Sequence, residues 1–161
     1  MTLNDWCSMA QSTKENCKKA LGIFKNVAKI LHEIHMKGYG HNDLHMNNII
    51  LDEHLNPSVV DFGYTLKFGT QLFRNRVDLN LALQYHYDPS LTVYLEPTCQ
   101  ANDIYSFARH IFNCLILKFG EWISYDLDDL VNMALSHKKT ERPSLLNFYY
   151  CLEKLESNMK C

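Results

Sequence analysis

The run His41-Asn42-Asp43-Leu44-His45-Met46-Asn47-Asn48 leads into Ile49-Ile50-Leu51-Asp52, and soon afterwards the chain reads Val59-Val60-Asp61-Phe62-Gly63. Two short runs, residues 49–51 and 58–60, flank the Pro-containing stretch 52–57 and read as a β-hairpin. Polar groups crowd its ends, with Asp43 and Asn48 before the first strand and Asp61 after the second. An Asp and an Asn five residues apart are common by themselves. A polar hairpin loop beside a buried strand is the alternative reading.

The surrounding chain is helical in its periodicity. Ser12-Thr13-Lys14-Glu15 has the capping-box pattern, a hydroxyl followed three residues later by Glu. After it, Cys17, Leu21, Phe24, Val27, Ala28, Leu31 and Ile34 recur at three- and four-residue steps and make one apolar face. Lys18, Lys19, Lys25 and Lys29 fall outside that face, as solvated residues do. Gly38 and Gly40 are expected to end the helix. Residues 64–90 show no sustained period. From about 101 to 117, Ile104, Phe107, Ala108, Ile111, Phe112, Cys114, Leu115 and Leu117 leave little polar face, which predicts a buried helix. Residues 127–135 read as an amphipathic helix. A last helix, about 143–157, starts at Pro143 and packs through Leu145, Leu146, Phe148, Tyr149, Leu152 and Leu155. The expected architecture is mainly α with a small β-hairpin, one domain spanning 1–161.

These motifs, in this order, resemble the eukaryotic protein kinases, whose catalytic loop reads His-Arg-Asp, four residues, Asn, then a short apolar strand and Asp-Phe-Gly. Arg142-Pro143-Ser144 resembles the start of the family's last helix, and Thr2–Cys7 resembles the helix after the hinge between lobes. The resemblance covers nearly the whole chain and implies the C-lobe architecture, an α+β family fold, without the N-lobe. Phosphoryl transfer asks a protein mainly for positioning and charge neutralisation. The resemblance makes Asp43 the base for the acceptor hydroxyl, places His45 and Asn48 with it in the catalytic loop (41–48), and puts Asn48 and Asp61 on Mg2+. Ile50 and Asp61 are expected at the nucleotide, ATP. Magnesium takes oxygen ligands, keeps waters and borrows phosphate oxygens, so one amide and one carboxylate suffice from the protein. Structural support falls to His41, Phe62, Gly63, Asp103 and Arg142, with Asp103 bracing the backbone of His41 and Asn42.

Departures from the pattern carry their own expectations. Residues 64–90 resemble an activation segment with hydroxyls at Tyr64, Thr65, Thr70, Tyr85 and Tyr87. Asn42 replaces the Arg that ordinarily grips a phosphate there, so control by phosphorylation is not expected. The closing Ala-Pro-Glu is matched by Asp88-Pro89-Ser90, or by the later Glu96-Pro97. With Ser90 in the Glu position, Arg142 must pair with Glu96, find another partner or be solvated. His45 stands where many Ser/Thr kinases place Lys. Small-molecule kinases share His-x-Asp-Leu-His-x-x-Asn, which keeps that class open as a minor alternative.

The 161 residues contain no Gly-x-Gly-x-x-Gly and no Val-Ala-x-Lys, the nucleotide cover of the smaller lobe. Two readings follow. One is phosphoryl transfer to a protein hydroxyl, Ser/Thr or Tyr unresolved, with an N-lobe supplied separately. The other is a non-catalytic half-kinase that binds a partner kinase or its associates. A net charge of -2 gives no field to attract nucleic acid or an acidic membrane. Six Cys without a Cys-x-x-Cys pair, and an N-terminus unlike a signal peptide, suggest reduced thiols and a cytoplasmic setting.

Overall fold

The computed structural model describes residues 1–75 and 85–159. Residues 76–84 of the expected activation segment, and the tail residues 160–161, lie outside it. Seven helices are described, α1 (Leu3–Met9), α2 (Lys14–Met36), α3 (Pro89–Thr92), α4 (Gln100–Ile111), α5 (Leu117–Phe119), α6 (Tyr125–Ala134) and α7 (Leu145–Asn158). The strands are β1 (Tyr39–Gly40), β2 (Ile49–Leu51), β3 (Pro57–Val59) and β4 (Leu66–Lys67). Among the described residues they pair as two antiparallel two-stranded sheets, β1 with β4 and β2 with β3.

α2 is the axis. Its N-cap is Thr13, whose Oγ1 accepts from the Asn16 amide, rather than Ser12. Ser12 instead donates to the Lys118 carbonyl, 2.7 Å away, so a tertiary contact claims that hydroxyl. The buried face of α2 runs from Cys17 to Leu31 as expected, but it ends on His35, while Ile34 is only partly buried. Phe24 meets Phe107 of α4 edge-on at 6.0 Å, and Phe107 meets Phe148 of α7 at 5.4 Å, so three helices share one aromatic junction. Such perpendicular ring pairs add about 1 kcal/mol each to plain area burial.

Three expectations at helix level are corrected. A π-helical turn at Phe112–Ile116 interrupts the central helix. The extra residue slips the apolar stripe, and Leu117 ends 66% exposed rather than buried. α7 starts at Leu145, with Ser144 as N-cap in a capping box with Asn147, so Pro143 lies before the helix. That register turns Leu146 outward. Finally, Gly38 ends α2 with a positive φ of 84° that suits glycine, whereas Gly40 belongs to β1.

The β2–β3 hairpin pairs Ile49 with Val59 and Leu51 with Pro57, one residue earlier on the second strand than expected. The β1–β4 sheet was not anticipated. It ties the chain just before His41 to the segment just after Gly63, pairing Tyr39 with Lys67 and Gly40 with Leu66. Cys7 and Cys114 are joined as a disulfide that ties α1 to the π-turn, which corrects the expectation of reduced thiols at these two positions. No helix among the described residues is long and apolar enough to cross a membrane.

Candidate active site

The loop from His41 to Asn48 is held from below by one face of α4. Asp103, fully buried, accepts from the His41 amide on Oδ2 and from the Asn42 amide on Oδ1, both at 2.8 Å. Ionised acceptors make the stronger hydrogen bonds, and a carboxylate has room for several donors. Two turns along the same face, His110 donates from Nε2 to the Leu44 carbonyl at 3.0 Å. Between them Ser106 donates to the His86 carbonyl at 2.5 Å. Positions 103, 106 and 110 are three and four residues apart, so one helix stripe holds both the loop and the segment that lies over it. Leu44 itself is wholly buried and anchors the loop in the core.

His41 connects the loop to the hairpin. Its Nε2 donates to the Val60 carbonyl at 3.0 Å, which leaves Nδ1 to accept from the Asp43 amide at 3.3 Å. Its ring meets that of Phe62 edge-on at 5.2 Å, yet Phe62 stays half exposed. Asn42 adopts φ 64°, and its Nδ2 donates to the carbonyls of Gly40 and Tyr64. A Cβ on Gly40 would come within 2.9 Å of the Asn42 Oδ1, so any larger residue there would have to displace the Asn42 side chain.

Asp43 is nearly covered, with 9% of its surface exposed. Asn48 Nδ2 donates to the Asp43 carbonyl at 3.0 Å and lies 3.4 Å from its Oδ2. His45 Nε2 is 3.8 Å from Oδ2. The other oxygen, Oδ1, takes the Tyr87 hydroxyl at 2.7 Å and His86 Nε2 at 3.1 Å. Burial raises the Asp43 carboxyl, but the His86 and Tyr87 hydrogen bonds and the His45 charge outweigh it and leave the group below its usual range. Burial also drives His45 down, only partly offset by Asp43. Burial, reinforced by Asp43, lifts the Tyr87 phenol well above its ordinary value.

Asp61 is exposed and adopts φ 61°, and its Oδ1 accepts from the Gly63 amide at 3.3 Å. It lies near enough to act on the titration of both His45 and Tyr87. Ile50 points outward from β2, 36% exposed, between buried Ile49 and Leu51. Gly63 is exposed. Arg142 is re-paired, though not with Glu96, which instead binds Lys139. Its guanidinium forks onto Asp88, and both side chains are 2% exposed. It also donates to the carbonyls of Ala101 and Ser136 and lies over the Tyr105 ring.

A metal ion would find hard oxygen donors in this set. Asn48 commits its nitrogen to Asp43, which leaves Oδ1 as its ligand atom, and Asp61 keeps Oδ2. An amide and a carboxylate oxygen suit magnesium better than a softer metal. Among the described residues no cluster of three or more His, Cys, Asp or Glu is placed to hold a metal by itself.

Sequence reasoning missed His35, His86 and His110 and gave Tyr87 no part at Asp43. His35 was legible as the next position of the α2 stripe after Leu31. His86 and Tyr87 carried no signal, since a non-periodic segment does not reveal where it folds back.

No family model matches the chain. A probable CTD kinase subunit alpha homolog of Encephalitozoon cuniculi is 44% identical over 62 residues, 37% of this chain and 19% of that protein. The nitrogen permease reactivator protein of Saccharomyces cerevisiae is 25% identical over 120 residues, 73% of this chain and 15% of that protein. A serine/threonine-protein kinase of Schizosaccharomyces pombe is 27% identical over 141 residues, 78% of this chain and 25% of that protein. Of these three, one is named as a kinase subunit and one as a serine/threonine-protein kinase, and the chain is kinase-like to that extent. It spans a quarter or less of the length of these curated relatives.

Proposed function

We propose that the chain is the larger half of a phosphoryl-transfer site acting on a protein hydroxyl, with ATP and Mg2+ as co-reactants. Asp43 receives the acceptor proton and orients its oxygen. Asn48 Oδ1 and Asp61 would hold the magnesium ion, which would supply neutralisation of phosphate charge. His45, mostly neutral at physiological pH, orients the loop side of the transferred group more than it attracts it. Ile50 offers an apolar floor to the nucleotide. The phosphate cover has no counterpart among the 161 residues and would come from another polypeptide or from further residues.

The observation that carries this reading is the double acceptance by Asp103, which clamps the loop so that Asp43 and Asn48 are hydrogen-bonded to each other. The test is transfer of phosphate from ATP to a protein acceptor, with the chain alone and with a separately supplied kinase N-lobe. Transfer that requires magnesium and falls by about 100-fold or more in Asp43→Asn supports the reading, since a positioned base contributes on that scale. No transfer under either condition rejects it.

A second reading has its own support. Asp43 is already engaged on Oδ1, and Ile50, Phe62 and Tyr64 stand exposed near the hairpin and the turn after it. One relative is named as a kinase subunit. A non-catalytic partner of kinases would bind an N-lobe through these side chains and remain inert after Asp43→Asn.

A further inference from the structure

The hydroxyl of Tyr87 stands at Asp43 as an acceptor would. A general base needs its substrate proton within about 2.6–3.2 Å, and the Tyr87 oxygen is 2.7 Å from Oδ1 with its proton directed at the carboxylate. His86 Nε2 takes up the same oxygen at 3.1 Å. The remaining oxygen, Oδ2, faces Asn48 and His45. An incoming hydroxyl therefore meets no free lone pair on Oδ1, and 9% exposure leaves Asp43 little open surface.

The backbone around Tyr87 is pinned on both sides. Ser106 holds the His86 carbonyl. Asp88 is gripped by Arg142 and by Asn102 Nδ2, the latter at 3.0 Å. The side chains differ in burial, since His86 is buried, whereas Tyr87 is half-buried, its ring tilted against His86 at 4.3 Å and edge-on to Phe73 at 5.8 Å. A Tyr side chain turns about two bonds, so it can leave Asp43 while residues 86 and 88 stay in place.

We propose that Tyr87 is a built-in gate that occupies the acceptor-hydroxyl position on Asp43 and closes it to external substrates until its side chain swings out. The proposal concerns access to the base and rests on the phosphoryl-transfer reading only for the meaning of that access. A partner that draws the phenol into its own apolar surface would open the site without unfolding the segment.

Carbodiimide-driven coupling of an amine to carboxylates, followed by peptide mass spectrometry, reads this directly on the 161-residue chain. Glu53, whose side chain is 87% exposed, serves as the internal standard. Asp43 labelling relative to Glu53 is expected to be low in the native protein and to rise several-fold in Tyr87→Ala. In Tyr87→Phe, which keeps the ring and the packing, it should rise less. Equal Asp43 labelling in all three proteins, with matching circular dichroism, overturns the gate. Should Tyr87→Ala fail to fold, the comparison of Tyr87→Phe with the native chain decides in the same way. Magnesium-dependent transfer measured on the opened variant separates the two claims. Ready labelling of Asp43 in Tyr87→Ala with no transfer, N-lobe supplied, rejects the phosphoryl-transfer reading and leaves the gate standing.

Discussion

Asp103 and His35 meet at 2.8 Å in the interior, with Nε2 of the imidazole donating to the Oδ2 that also holds the His41 amide. α2 thus contributes to the loop through its last turn, and the brace is a three-donor node rather than a carboxylate serving the backbone alone. Asp103→Asn keeps the volume but presents an amide nitrogen where two donors converge. It should cost about 2–4 kcal/mol in urea unfolding, the scale of one or two buried donors left unpaired. His35→Ala should cost less, because both backbone amides keep their acceptor.

The Arg142–Asp88 pair is almost wholly buried. Removing either partner leaves a charge in the interior, so Arg142→Ala or Asp88→Ala should each destabilise by about 3–5 kcal/mol. The double variant should be less unstable than the sum of the singles, and a double-mutant cycle from denaturant titrations checks it.

Stability should fall as pH drops below neutrality. Burial pushes His110 down to about 3, against an ordinary value of 6.5. Between those values the unfolded chain binds a proton that the folded chain refuses, so stability present above pH 6.5 is lost progressively as pH falls. At pH 5 the loss from this one group is about 2 kcal/mol. His45, also lowered by burial, acts in the same direction. His110→Gln retains a donor for the Leu44 carbonyl and should flatten the slope of denaturation midpoint against pH.

The Cys7–Cys114 bridge closes a loop with a sequence separation of 107. Reduction should lower stability by about 2–4 kcal/mol, the range usual for native disulfides. Thiol alkylation of unfolded protein should find Cys7 and Cys114 protected until a reductant is added, while Cys17, Cys99 and Cys151 react at once.

What could be read beforehand follows from how far each feature acts along the chain. Apolar periodicity located α2, α4, α6 and α7, because one buried face repeats over many residues. It misplaced Leu117 because a π-turn changes the repeat without any residue that announces it. The β2–β3 hairpin was legible from two short runs and a Pro-containing link, whereas β1–β4 was not, being two residues long on each side. Asp88 emerged as the Arg142 partner only in three dimensions. The spacing put Ser90, which cannot pair, at the usual Glu position and left Glu96 as the named substitute, and a segment without periodicity leaves its register open by a residue or two.

The proposed function stands or falls on whether Asn48 and Asp61 share a cation beside Asp43. Manganese, a paramagnetic substitute for magnesium, can be added with ATP to labelled protein while the amide signals are followed by NMR, and weak binding is enough. We expect the strongest broadening at residues 48 and 61, extending to 43, and its loss in Asp61→Asn. Broadening that misses these residues, or that persists unchanged in Asp61→Asn, would contradict it.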